Sequence, residues 1–190
     1  MRFASYTVAM ALRTIDRSSQ VFTYSDLEAV PDDENRYELS YGSLVVTPAP
    51  NTRHQAIMAN VVAFLHHRMP PSVRVLAEAE LLLSQDLVKR PDVQVVHENL
   101  VGGQSVVGTP LLVVEIHSPA TKALDLTEKR YVYAHARIPA YWLIDPDAIT
   151  LTIVELADGE YVERAVLEAT AELAVSLPFS MTVSAPAIFA

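Results

Sequence analysis

Two acids stand where acids are unexpected. Asp92 follows a proline in "RPDVQVVHENL" and opens an apolar run, and Glu115 interrupts a second run, "LLVVEIHS". Asp is a poor strand residue, although Pro-Asp is also a common turn pair. An ionised carboxylate among residues that favour burial is costly unless it is paired or bound to a metal. The two positions are 23 residues apart, enough for a loop and a turn between neighbouring strands. Two carboxylates at one end of adjacent strands make a hard-cation site of the Mg²⁺ type, to which the Ile116 carbonyl can add a backbone ligand. A purely structural, salt-bridged Glu115 is the alternative. Strand alternation puts His117 on the face of Glu115. Further on, Asp125, Lys129 and Tyr133 fall at i, i+4 and i+8, one stripe of a helix, with Lys122 as a competing lysine nearer the loop. As a surface ion pair, Asp125–Lys129 would be worth only about 0.3–0.5 kcal/mol. His54 opens an earlier helix, either as a contact to phosphate or metal or as an ordinary polar start residue.

The surrounding elements must bring these side chains together. Ser25 reads as the cap of a short helical turn from Asp26 to Val30, and Asp32–Glu34 as a solvated acidic loop. "RYELSYGSLVVTP" reads as a hairpin turning at Tyr41-Gly42. "NTRHQAIMANVVAFLHHRM" carries the Ile57, Met58, Val61, Val62, Leu65 stripe of an amphipathic helix capped by Asn51 or Thr52. Three extended stretches follow, "SVRVLAEAELLL", "PDVQVV" and "TPLLVVEIHS", the last with the continuous apolarity of a strand buried on both faces. "SPATKALDLTEKRYVYAHARIP" holds the second helix, with Tyr131 and Tyr133 as packing residues. Tyr141 and Trp142, in the strand "AYWLIDP", read as core or edge packing. "ITLTIVELADGEYVERAVL" turns at Asp158-Gly159, and the tail suggests one more strand and a closing segment. Residues 1–20 are expected to be loosely ordered and 21–190 to form a single α/β domain, a mixed central sheet flanked by helices with an N-terminal hairpin and C-terminal antiparallel strands.

Composition narrows the chemistry. Of 190 residues, 51% are hydrophobic and none is Cys. A real core is available, while disulfides, thiolate metal sites and cysteine catalysis are excluded. Any metal site must use carboxylate, imidazole or backbone oxygen, which favours Mg²⁺ or Mn²⁺. No apolar run approaches the roughly 18–20 residues of a membrane span, and the first residues lack the form of a signal peptide, so the reading is a cytoplasmic protein with no membrane partner. The formal net charge of −9 speaks against a broad electrostatic grip on nucleic acid and leaves room only for a local basic groove.

Taken together, "RYELSYGSLVVTPAPNTRHQAIMANVVAFL", "RPDVQVV" and "LLVVEIHSPATKALDLTEKRYVYAHARIPAYWLIDP" resemble the Uma-two family of restriction-endonuclease-like proteins, grouped with the PD-(D/E)XK nuclease superfamily. The resemblance runs over about residues 21–165 and implies a restriction-endonuclease-like fold. By it, Asp92 matches the acid of the Pro-Asp motif, Glu115 the second acid and Glu38 the early acid. His117 stands where the superfamily has lysine, and Lys129 fits the helix lysine that takes that role. Ser118, Pro119 and Thr121 match a turn in which Ala120 departs, and Tyr41-Gly42-Ser43 stands where the family reads Asp-Gly-Glu. The implied activity is metal-assisted phosphodiester hydrolysis, of DNA first and of RNA or nucleotides as the rival. Asp92, Glu115, Glu38 and the Ile116 carbonyl would hold Mg²⁺ or Mn²⁺, and Lys129 would steady transition-state charge. His54, Ser118, Thr121 and Lys122 would contact substrate. A homodimer is the expected assembly. A nuclease-fold binding or assembly module without turnover is the competing reading, favoured by the altered hairpin and the acidic charge.

Overall fold

The computed structural model describes residues 13–15, 21–30, 33 and 35–190. Most of the N-terminal segment expected to be loose, and Asp32 and Glu34 of the acidic loop, lie outside the described residues. Within that segment Arg13–Ile15 forms a strand, β1. The helical turn α1 (Tyr24–Glu28) begins two residues earlier than the sequence suggests. Thr23, not Ser25, caps it, because the Asp26 carboxylate reaches back to accept the Thr23 N–H at 2.8 Å. The hairpin β2 (Asn35–Ser40) and β3 (Ser43–Pro48) turns where expected, with Tyr41 and Gly42 both at positive φ, 49° and 78°. Helix α2 (Thr52–His66) is capped by Asn51, whose side chain accepts the His54 N–H. Its buried face is Ile57, Val61, Phe64 and Leu65, with His54 at its start.

The stretch "SVRVLAEAELLL" divides into two strands. β4 (Val73–Ala77) stops where Glu78 takes a φ of +53°, and β5 (Leu81–Ser84) joins a different sheet with β6 (Leu87–Lys89). β7 (Val93–His97) begins directly after Asp92. The loop after it holds a 3₁₀ turn and the two-residue strand β8 (Val106–Val107), and leads to β9 (Leu112–Ile116), buried at every residue. The second helix is three segments in series: α3 (Lys122–Leu124), a π turn (Asp125–Lys129) and α4 (Arg130–His135). β10 (Ala140–Asp145) returns parallel to β9, followed by the hairpin β11 (Thr150–Ala157) and β12 (Glu160–Glu168). The tail gives two strands rather than one, β13 (Glu172–Val175) and β14 (Met181–Ser184), and a short helix α5 (Ala185–Phe189).

The mixed α/β class is as expected, and among the described residues its strands form two six-stranded sheets and a small ribbon rather than one sheet. One runs β1-β3-β2-β6-β5-β8, the other β12-β11-β10-β9-β7-β4, and β13 pairs with β14. The second sheet is mixed: β9 and β10 are parallel, while β7 and β9 are antiparallel neighbours with Val93 opposite Val114. On one of its faces Ile57, Val61 and Leu65 of α2 pack with Val114, Ile116, Trp142 and Ile144. On the other lie Val132, Tyr133, Val113 and Tyr141. Tyr141 and Trp142 are fully buried, as core residues should be. Tyr131 is a correction: it is 63% exposed and stacks on His135 instead of packing inward. Among the described residues no helix is long and apolar enough to cross a membrane.

Candidate active site

The ends of β7 and β9 meet α2, the π turn and the first sheet around a cleft of roughly 600 Å³. The register that pairs Val93 with Val114 sets Asp92 beside the last turns of β9, and there the Ile116 N–H is donated to Asp92 Oδ2 at 2.7 Å. The N–H and C=O of a strand residue point to the same edge, so the Ile116 carbonyl looks toward Asp92 as well. Asp92 is 2% exposed, and its two oxygens are already engaged. Oδ1 accepts from Arg36 Nη1 at 2.9 Å, and Oδ2 accepts also from His54 Nε2 at 3.1 Å. Burial alone would raise the Asp92 carboxyl, but the His54 hydrogen bond and charge, then Arg36 and Lys129, outweigh it and hold it at about 2.

Glu115 sits on the cleft wall of β9 and takes two donors on Oε1, Lys129 Nζ at 2.9 Å and Tyr133 Oη at 2.7 Å. Glu38, from β2 of the other sheet, accepts the Arg90 N–H at 2.9 Å and lies 3.4 Å from Lys129. Asp125 is 3.5 Å from the same ammonium. The stripe Asp125, Lys129, Tyr133 is therefore inward-facing and buried, so the surface ion-pair reading of Asp125–Lys129 is corrected. Three carboxylates surround one lysine, and the fourth, Asp92, adds to their field. Burial lowers the Lys129 pKa, but Glu115, Glu38, Asp125 and Asp92 more than reverse this and hold it well above its ordinary value. Burial pushes the Glu115 carboxyl well up; Lys129 opposes that and Asp125, Asp92 and Glu38 reinforce it.

The structure thus gathers Asp92, Glu115, Lys129, Glu38, His54 and Ile116 at one place. Ser118 and Thr121 border the same cleft but bond each other, Oγ to Oγ1 at 3.0 Å, closing the turn before α3. Lys122 is not brought in: it points to Asp145, 2.6 Å away, and does not line the cleft. Tyr41 and Ser43 lie on the exposed hairpin turn, away from the cleft, so their departure from Asp-Gly-Glu removes no acid from its wall. His117 faces the cleft with Nδ1 on Asp125 Oδ2 at 3.1 Å. Sequence reasoning passed over Arg36 and the hydroxyl of Tyr133. Arg36 had a signal, since it shares the strand face of Glu38 two residues on. Tyr133 had one too, since it lies on the Asp125–Lys129 stripe, where a packing residue would need no polar partner.

The wall suits a hard cation. Glu38, Asp92 and Glu115 are carboxylates, the Ile116 carbonyl adjoins them, and buried negative charge exceeds the Lys129 ammonium. Among the described residues Oε2 of Glu38 and Oε2 of Glu115 take no hydrogen bond. No three acid or histidine side chains among the described residues stand as a ready-made metal cluster; Lys129 and Arg36 pair with the acids instead.

A mixed α/β sheet here delivers two strand-end acids and a helix lysine to one cleft. The chain belongs to the Uma2 family, described as "Putative restriction endonuclease", whose model matches residues 23–187. Among solved structures it is similar to a crystal structure described as a "putative nuclease belonging to DUF820" from Anabaena variabilis. That similarity has a TM-score of 0.74 at 22% identity, over 88% of this chain and 97% of that one. No curated protein matches the sequence.

Proposed function

We propose that the cleft hydrolyses phosphodiester bonds in DNA with the help of a bound divalent cation of the Mg²⁺ or Mn²⁺ class. The observation that carries this reading is the Lys129 ammonium within 3.5 Å of Glu38, Glu115 and Asp125, with Asp92 anchored on the neighbouring strand end. Asp92, Glu115, Glu38 and the Ile116 carbonyl would hold the ion. When bound, such an ion supplies Lewis-acid polarisation of a phosphate and a more acidic water.

The chain's own groups have separable tasks. Lys129 stays protonated, so it serves as a charge-stabilising donor and not as a base. Tyr133 and Lys129 fix the Glu115 side chain, and His54 with the Ile116 N–H fixes Asp92. His54, Ser118 and Thr121 border the space a phosphate would enter. Four of the fourteen Lys and Arg residues line the cleft (Arg36, Arg53, Arg90, Lys129), beside the carboxylates of Glu38, Asp92, Glu115 and Asp147. A cytoplasmic homodimer is part of the same proposal.

Calorimetric titration with Mn²⁺ tests the site, with Asp92→Asn and Glu115→Gln expected to abolish binding. Cleavage of plasmid, DNA oligonucleotide and RNA oligonucleotide tests the reaction, with Lys129→Ala expected to lower the rate at least about a hundredfold. Metal binding without turnover on any of these substrates would favour the binding-module reading instead.

A further inference from the structure

Arg36 is, among the described residues, the cleft arginine whose guanidinium lies on a proposed ion ligand. Its Nη1 donates to Asp92 Oδ1 at 2.9 Å, and its Nη2 is paired with the carboxylate of Glu78. The other cleft cations leave Asp92 alone: Arg90 Nε donates to the Glu78 carbonyl at 2.8 Å, and Lys129 sits on the proposed ligands Glu38 and Glu115. Lys129 is shared by three acids, and Arg53 is bonded to Asp147 and the Pro146 carbonyl. Asp92 Oδ2 already accepts two donors, His54 Nε2 and the Ile116 N–H, so Oδ1 is the oxygen left for an incoming ion, and Arg36 covers it. The guanidinium is a fork, so it can leave one carboxylate and keep the other. Glu78 is the more solvated of its two partners, with a side chain 31% exposed against 3% for Asp92.

We propose that Arg36 couples cation binding to phosphate binding: it neutralises Asp92 in the cation-free protein, and when an ion takes Asp92 Oδ1 it stays tethered by Glu78 and offers Nη1 to a non-bridging phosphate oxygen of the substrate. This rests on the cation site described above. Arg36 and the ion compete for one oxygen, so the guanidinium weakens the empty site's affinity for the ion. Arg36 lines the cleft, so a released Nη1 has a charge-assisted hydrogen bond to offer a phosphate oxygen there. Cation and phosphodiester then favour each other's binding, reciprocally, through one side chain.

The experiment measures two affinities on each variant: Mn²⁺ by calorimetry, and a short DNA duplex by fluorescence anisotropy in Ca²⁺ across a salt series. Arg36→Ala is expected to bind Mn²⁺ about tenfold more tightly, by removal of a like charge from the site. It is expected to bind the duplex about tenfold more weakly, with a salt slope smaller by about one. Glu78→Gln, which drives Arg36 further onto Asp92, should weaken Mn²⁺ and serves also if Arg36→Ala fails to fold. A merely structural arginine would lower both affinities or neither. Unchanged or weaker Mn²⁺ binding in Arg36→Ala, with Asp92→Asn abolishing it, overturns the coupling and leaves the cation site standing. Absence of Mn²⁺ binding in the wild type, in Arg36→Ala and in Asp92→Asn alike overturns both.

Discussion

Asp92 and Glu115 share one cleft wall and are pushed in opposite directions by it. Asp92 has Arg36, His54 and a backbone N–H; held at about 2 against an ordinary 3.8, it adds stability that is complete above about pH 4 and lost as pH falls toward 2. Glu115 shares its lysine with two other acids and is raised well above its ordinary 4.5. Its contribution has the reverse sign: present in full below about pH 4.5, and lost as pH climbs through the raised value. Asp92→Asn should therefore cost about 2–3 kcal/mol at pH 7, because Arg36 and His54 lose a buried anion. Glu115→Gln should be neutral or stabilising at pH 8, and should flatten the loss of stability as pH rises above about 4.5. Urea denaturation at several pH values checks both. The pair of outcomes would separate Asp92, whose buried charge stabilises the fold, from Glu115, whose charge does not.

At the scale of elements, the π turn and the hairpin make the site. The π turn keeps Asp125 and Lys129 both facing inward, and α4 carries the stripe on to Tyr133. Lys129→Ala leaves Glu38, Glu115 and Asp125 without their shared cation and should cost about 3–5 kcal/mol at pH 7. Part of that loss should return as pH falls, because burial already raises the Glu115 carboxyl and lets it take up a proton, as thermal unfolding at two pH values would show. At the hairpin, Gly42 has a φ of +78° and a Cβ there would stand 2.4 Å from Val21 Cγ1. Gly42→Ala should thus destabilise by about 1–2 kcal/mol, with the cleft chemistry intact. Much at this scale was legible from sequence: the hairpin turn, the cap and face of α2, the pairing of β7 with β9, and the i, i+4 stripe. The π turn was not, since its residues keep helical spacing. Nor was the outward turn of Tyr131, because an aromatic beside a buried stripe reads as part of it.

Over the whole molecule the site lies where the two sheets come together, which no single segment announces. Glu38 comes from one sheet, Asp92 and Glu115 from the other, and the helix between them carries Lys129 to both. Lys89 of β6, 1% exposed, ties the first sheet to that helix, bonding Ser40 of β2 and Glu128, each at 2.7 Å. The division into two sheets was hidden because "SVRVLAEAELLL" is apolar on both sides of Glu78, and periodicity carries no information about which sheet a strand joins. The same junction explains why a protein of net charge −9 gathers buried acids from separate elements: folding brings them together, and the unfolded chain keeps them apart. A divalent ion held by those acids, as proposed, would bind the native state alone, so at a hundred times its dissociation constant it would add about 2.7 kcal/mol of stability. For a chain of this length that corresponds to a rise in Tm of about 5–10 °C. Differential scanning calorimetry with Mn²⁺ should show this rise. Sodium chloride at matched ionic strength should not, and Asp92→Asn should lose the rise because its amide cannot supply the anionic oxygen that the junction presents.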